Sequence, residues 1–233
     1  MFAAKKLLLA LALTSAAGYV QAAPVTLDGA AFSVTYDDAL VGLFGTPTLS
    51  GNTLFFTPTS FKAISTNGAG VSLASQTSNF DILLKPSANL RLTSIDLNEG
   101  GDYLMMGQNS FVNALGQMRV RNNANPSMEI VGSIAPAAPL AIKDGINHNW
   151  AAGANADLNS AAWNNVGSAR VTLENILLAY TQADTGPQMA FAEKKYSGIT
   201  FNVSPVPEAS TWSMMVLGVG LLGYLSLRRR NQQ

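Results

Sequence analysis

The strongest constraint on this chain is a side-chain period of two that recurs through most of residues 23–205. In "AFSVTYD" the apolar residues Phe32, Val34 and Tyr36 alternate with Ser33 and Thr35. In "QMRVR" Met118 and Val120 alternate with Gln117, Arg119 and Arg121, and in "SGITFNV" Ile199, Phe201 and Val203 do the same. Successive side chains of a strand point to opposite faces, so each stretch reads as a half-buried strand. Further strands are expected at Thr53 to Thr57, Val71 to Ser75, Phe80 to Leu84, Leu90 to Leu97, Asp102 to Met106 and Ala169 to Tyr180. Turn signals separate them, among them "SGN" at 50, "TNGAG" at 66, "NEGGD" at 98 and "NNANP" at 122.

Strands at this spacing, with no helical pattern between them, predict an all-β body. The expected form is an antiparallel β-sandwich, with a jelly-roll arrangement as one version of it. In "LRLTSIDLN" the alternation slips between Leu92 and Ile95, which places a bulge at Thr93 or Ser94. The stretch from Pro136 to Gly167 breaks the pattern and is rich in Ala and Asn, so it reads as a long loop with one short helix capped by Asp157.

The two ends differ from this body. Residues 1–22 carry Lys5 and Lys6, an apolar run from Leu7 to Leu13 and small residues up to Ala22, the layout of a secretory signal peptide cleaved after Ala22. Export follows from that reading. The chain contains no cysteine, so an exported domain must hold itself together without disulfides, and thiolate catalysis is excluded. Residues 23–205 hold nine basic and 13 acidic residues, a net of −4 with no basic stripe, which argues against a nucleic-acid partner.

The last segment, residues 206–233, reads "VPEASTWSMMVLGVGLLGYLSLRRRNQQ". Ala209 to Leu227 is 19 residues without a charge. As a helix it would rise about 28 Å, enough to cross a bilayer once. Trp212 sits where an indole meets the headgroups, and Arg228, Arg229 and Arg230 close the other end on the cytoplasmic side. A plain single-span anchor would explain these features. The order of parts, Val206-Pro207-Glu208, a spacer, an apolar helix and an arginine cluster, also resembles the PEP-CTERM sorting signal of Gram-negative bacteria. Pro207 and Glu208 match the first two positions of its signature, and Ala209 stands where a second proline is usual. The resemblance is confined to the tail. It implies a precursor held transiently in the inner membrane, processed there by an exosortase-type enzyme, then released to the cell surface or an extracellular polysaccharide matrix.

Candidate chemistry in the body is sparse. His148 is the only histidine and has no Gly-x-Ser-x-Gly elbow to accompany it, so no catalytic residue is assigned. Asp37 and Asp38 are neighbours that a strand would point to opposite faces, so they read as turn residues. Asp96, Asn98 and Asp102 offer the oxygen ligands Ca²⁺ takes, although "NEGGD" is also a hairpin turn in its own right; no other cofactor is expected. Trp150 and Trp163, set among asparagines, could stack on a sugar or pin the loop to the body. Two functions follow: a non-enzymatic exported surface or matrix protein, or an extracellular carbohydrate-binding or carbohydrate-active module.

Overall fold

The computed structural model describes residues 24–86, 89–164, 166–206, 215–217 and 219. The signal-peptide segment with Ala22, and the tail residues Pro207, Glu208, Trp212 and Arg228 to Arg230, lie outside the described residues. The body is almost wholly antiparallel β. Its strands are β1 (Pro24–Asp28), β2 (Phe32–Asp37), β3 (Thr48–Ser50), β4 (Thr53–Phe56), β5 (Lys62–Thr66), β6 (Gly70–Leu84), β7 (Leu90–Met106), β8 (Ser110–Asn122), β9 (Glu129–Pro136), β10 (His148–Asp157), β11 (Ser168–Thr181) and β12 (Met189–Pro205). The one α-helical turn, α1 (Asp38–Val41), follows β2, and its N-cap is Asp37, whose Oδ1 accepts from Ala39 N at 3.0 Å.

These strands form one sheet in the order β1-β2-β6-β11-β8-β9-β10-β7-β12-β4-β3, with β5 also paired to β12. The sheet curls on itself into a nearly closed barrel. The expected antiparallel strands are present, but the expected pair of separate sandwich sheets is joined: Ala152 pairs with Pro136 and Gly153 with Ala135, which links β10 to β9 across the seam. Closing a sheet in this way removes edges that would otherwise be left unpaired.

Two sequence expectations are corrected. Gly100 and Gly101 do not turn the chain; "NEGGD" runs straight through the middle of the 17-residue β7. The glycines are there for close backbone approach. A Cβ on Gly101 would lie 1.8 Å from Glu193 O of β12, and one on Gly100 would lie 2.9 Å from Trp150 O of β10. The expected loop from Pro136 to Gly167 contains β10, whose ten residues pair with β7 along their full length. Its Ala-rich alternation was hidden because alanine marks no face strongly.

Bulges set which residues enter the interior. β7 pairs Ser94 with Asn202 and then Leu92 with Val203, so Thr93 is the extra residue, as the slipped alternation predicts. A second bulge lies in β12, where Lys194 faces Gly101 and Tyr196 faces Gly100, leaving Lys195 over. This flips the phase of β12: Ala190, Ala192 and Lys194 point inward before it, and Ser197, Ile199 and Phe201 after it. The core is aromatic at one end, with Phe44 5.6 Å from Phe61 and 5.7 Å from Phe56, and Phe56 5.2 Å from Phe80.

No helix among the described residues is long and apolar enough to cross a membrane. The expected span from Ala209 to Leu227 is described only at 215–217 and 219, which are helical, so the predicted transmembrane helix gains no support.

Candidate functional site

Three inward-facing polar residues meet inside the barrel. Glu99 comes from β7, where Ile95, Leu97, Tyr103 and Met105 hold the same inward phase. Asn175 comes from β11, in the phase of Val171, Leu173, Leu177 and Ala179. Lys194 is the last inward residue of β12 before the bulge. All three are sealed: the Lys194 and Glu99 side chains are 0% and 1% exposed, and Asn175 is 1% exposed.

Their geometry is close. Lys194 Nζ donates to Asn175 Oδ1 at 2.5 Å and lies 2.6 Å from Glu99 Oε2. Asn175 Nδ2 donates to Glu99 Oε1 at 3.2 Å. Glu99 Oε2 is the charge partner of the ammonium. Rings of Phe61, Phe44 and Trp150 stand 5.4, 5.7 and 5.9 Å from Nζ. Burial among them pulls the Lys194 pKa down to about 8, against the opposing pull of the Glu99 carboxylate. Glycines make room on both walls: Gly101 is opposite Lys194, and Gly116 is opposite Asn175. A Cβ on Gly116 would lie 2.0 Å from Glu174 O.

The residues expected to carry chemistry are placed elsewhere. Asp96, Asn98 and Asp102 share the outer face of β7, but Asp96 and Asp102 are six residues apart, about 20 Å along an extended strand, and cannot hold one ion together. Asp96 is already surrounded by donors, with Ser94 Oγ at 3.1 Å, Asn155 Nδ2 at 2.5 Å and Asn202 Nδ2 also in contact. Asp102 pairs with Lys195. No group of three or more His, Asp or Glu suited to a metal occurs among the described residues. Asp96 and Asn98 instead line an open depression with Gly153, Asn155, Thr200 and Asn202.

Trp150 and Trp163 are each 5% exposed, so neither ring offers a face to a sugar. Trp150 points inward from β10 and its Nε1 donates to Glu193 O at 3.1 Å, the partner a buried indole requires. Trp163 ends a 3₁₀ turn, Ala161–Trp163, and is buried there. His148 sits on β10 with its Nε2 3.0 Å from Asp144 Oδ1 and its ring against Tyr103. The contact with His148, then the Ile146 N–H, lower the Asp144 pKa. The pair is exposed, and exposed pairs contribute little. His148→Ala is therefore expected to leave the thermal unfolding midpoint unchanged, as checked by differential scanning calorimetry.

The tail starts where β12 ends. Pro205 is the last paired residue, opposite Leu90, and Val206 N donates to Asn89 O at 3.0 Å. Residues 205–230 match the PEP-CTERM protein-sorting motif. The tail is a sorting signal. It marks an exported, cell-surface-directed protein handled by an exosortase-type enzyme. The β-rich body falls outside the motif, and no curated protein matches the chain. Among solved structures the body is similar to a chain in the structure of infectious bursal disease virus Gt strain, at 13% identity over 74% of this chain and 49% of the viral one, with a TM-score of 0.26. It is also similar to a cyclase from Fischerella sp. TAU in complex with 4-(1H-Indol-3-yl)butan-2-one, at 13% identity over 75% of each chain, with a TM-score of 0.25. The chain spans about half the length of the viral chain, and scores this low carry no argument about fold or function.

Proposed function

We propose that this is a non-enzymatic protein of the cell surface or extracellular matrix, delivered there through its PEP-CTERM tail. The observation that carries the reading is the sorting motif at residues 205–230, which begins directly at the end of a fully paired β12. The body supports a structural role. Its buried set of charged and polar groups, Lys194, Glu99 and Asn175, is sealed from solvent and cannot meet a diffusing substrate. A nearly closed antiparallel sheet also suits a component that must persist outside the cell.

Cell fractionation of a host that carries an exosortase-type enzyme tests this. The body is expected in the surface or extracellular fraction, and in the membrane fraction when that enzyme is deleted. A body found in the periplasm of both strains would refute the reading.

A second reading, binding of extracellular polysaccharide, rests on the depression at Asp96, Asn98, Asn155, Thr200 and Asn202, whose amides and hydroxyl are groups that bond sugar hydroxyls. Retardation in a polysaccharide-containing gel, lost in Asn98→Ala, would select it.

A further inference from the structure

We propose that Lys194 and Asn175 react with one another to form an intramolecular isopeptide bond, with Glu99 as the proton carrier. The inference does not depend on how the protein is sorted. Three features of the interior carry it: the contact distances, the burial of all three side chains, and the position of the carboxyl group.

The distances place the nucleophile at its target. Lys194 Nζ is 2.5 Å from Asn175 Oδ1, and an amide carbon lies about 1.2 Å from its oxygen, so Nζ is within about 3.7 Å of Cγ. That is close to the separation at which reacting atoms are held in a near-attack arrangement. Asn175 leaves β11, which is paired on both sides, and Lys194 leaves β12 at its bulge, where it pairs with Gly101 and its N–H donates to Phe61 O at 2.9 Å, so both backbones are held. The glycines opposite them, Gly101 and Gly116, let the backbones at Lys194 and Asn175 pack closely against β7 and β8.

The surroundings favour the reactive protonation state. An amine attacks only as the neutral species, and burial of Nζ disfavours the charged ammonium, against the cation–π attraction of the Phe44, Phe61 and Trp150 rings. Glu99 Oε2 lies 2.6 Å from Nζ, near enough to take its proton, and the transfer turns two buried charges into a neutral amine and a neutral acid.

Glu99 also touches the leaving group, because its Oε1 accepts from Asn175 Nδ2 at 3.2 Å. The step then balances. Nζ attacks Cγ and the Nζ–Cγ bond forms. Glu99 delivers a proton to Nδ2 and receives one from Nζ. The Cγ–Nδ2 bond breaks, Nδ2 leaves as ammonia, and Glu99 ends as the neutral acid. No oxidant, metal or cofactor is consumed. The product ties β11 to β12 through the barrel interior, a covalent staple in a chain that has no cysteine to make a disulfide.

The test is a tryptic digest of the purified exported protein, denatured and analysed by mass spectrometry. Trypsin cuts after Arg170, Lys194 and Lys195, so both partners fall in one stretch, residues 171–195. The expected result is a 171–195 peptide uncut at Lys194 and lighter than its sequence by one ammonia. Glu99→Gln, Asn175→Ala and Lys194→Met are each expected to abolish that mass loss. Complete cleavage after Lys194 in the natural protein, at full mass, would overturn the proposal, and this reading needs no variant to fold. An ammonia loss that persists in Lys194→Met would also overturn it, since it would come from a cyclic imide at Asn175.

Discussion

Glu99→Ala is expected to destabilise the body by about 3–5 kcal/mol, because it leaves a fully buried lysine without its counter-ion. Among the described residues Glu99 is the carboxylate placed against Lys194 Nζ, beside an amide and three aromatic rings. The variant also has a predictable pH dependence. Burial already holds the Lys194 pKa at about 8 against the pull of Glu99, and removing the carboxylate lowers it further. Between that value and the unfolded value of 10.5 the unfolded chain binds a proton that the folded chain does not. The variant should therefore gain stability as pH rises through that window. Urea denaturation at several pH values measures both effects. The double variant Glu99→Ala with Lys194→Met should regain the part of the loss that comes from the isolated buried charge, and not the part that comes from the missing cross-link between Lys194 and Asn175. A single variant as stable as the natural protein at neutral pH would mean that Lys194 is not an uncompensated charge once Glu99 is gone.

The polar cluster was legible only in part. Each member occupies the apolar phase of its strand: Glu99 after Ile95 and Leu97, Asn175 between Leu173 and Leu177, and Lys194 after Ala190 and Ala192. One polar residue out of phase in each of three strands is a sequence signal. What alternation cannot supply is that the three strands bring those residues to one point, because that depends on the order in which strands pair. It also cannot foresee the bulge at Lys195, which keeps Lys194 inside and puts Ser197 inside three positions later. The Thr93 bulge was readable because large residues on both sides of it, Leu92 and Ile95, mark the change of phase.

The misread segments share a physical cause. Gly100 and Gly101 look like a turn because glycine is permissive, whereas here their lack of a Cβ lets the β10 and β12 backbones come close. β10 looks like a loop because its faces are marked by Ala and Asn rather than by large apolar residues, so it is defined by its partner β7 and not by its own pattern. The same ambiguity misplaced the tryptophans, which read as loop residues near asparagines but are interior anchors.

Altering Pro207 and Glu208 together should leave nearly all of the protein as an uncut precursor held in the membrane of an exosortase-bearing host, detected by the mass of the membrane-bound chain. The motif match begins at Pro205, and β12 is paired up to that same residue. A cut near Val206-Pro207-Glu208 would therefore release the body without breaking a strand pairing. Proline supports the recognition step, because it fixes its own φ and drives the preceding Val206 toward the extended form an enzyme cleft needs. The arginines should act at a different stage. Replacing Arg228, Arg229 and Arg230 with neutral residues removes the positive charge that holds the end of the chain on the cytoplasmic side, so the precursor should slip from the membrane before it is cut. The two variants are thus expected to fail in opposite compartments, the first retained in the membrane and the second released with its tail intact. If the natural chain keeps residues 212–233 in such a host, the tail is a permanent anchor and neither difference between the variants should appear.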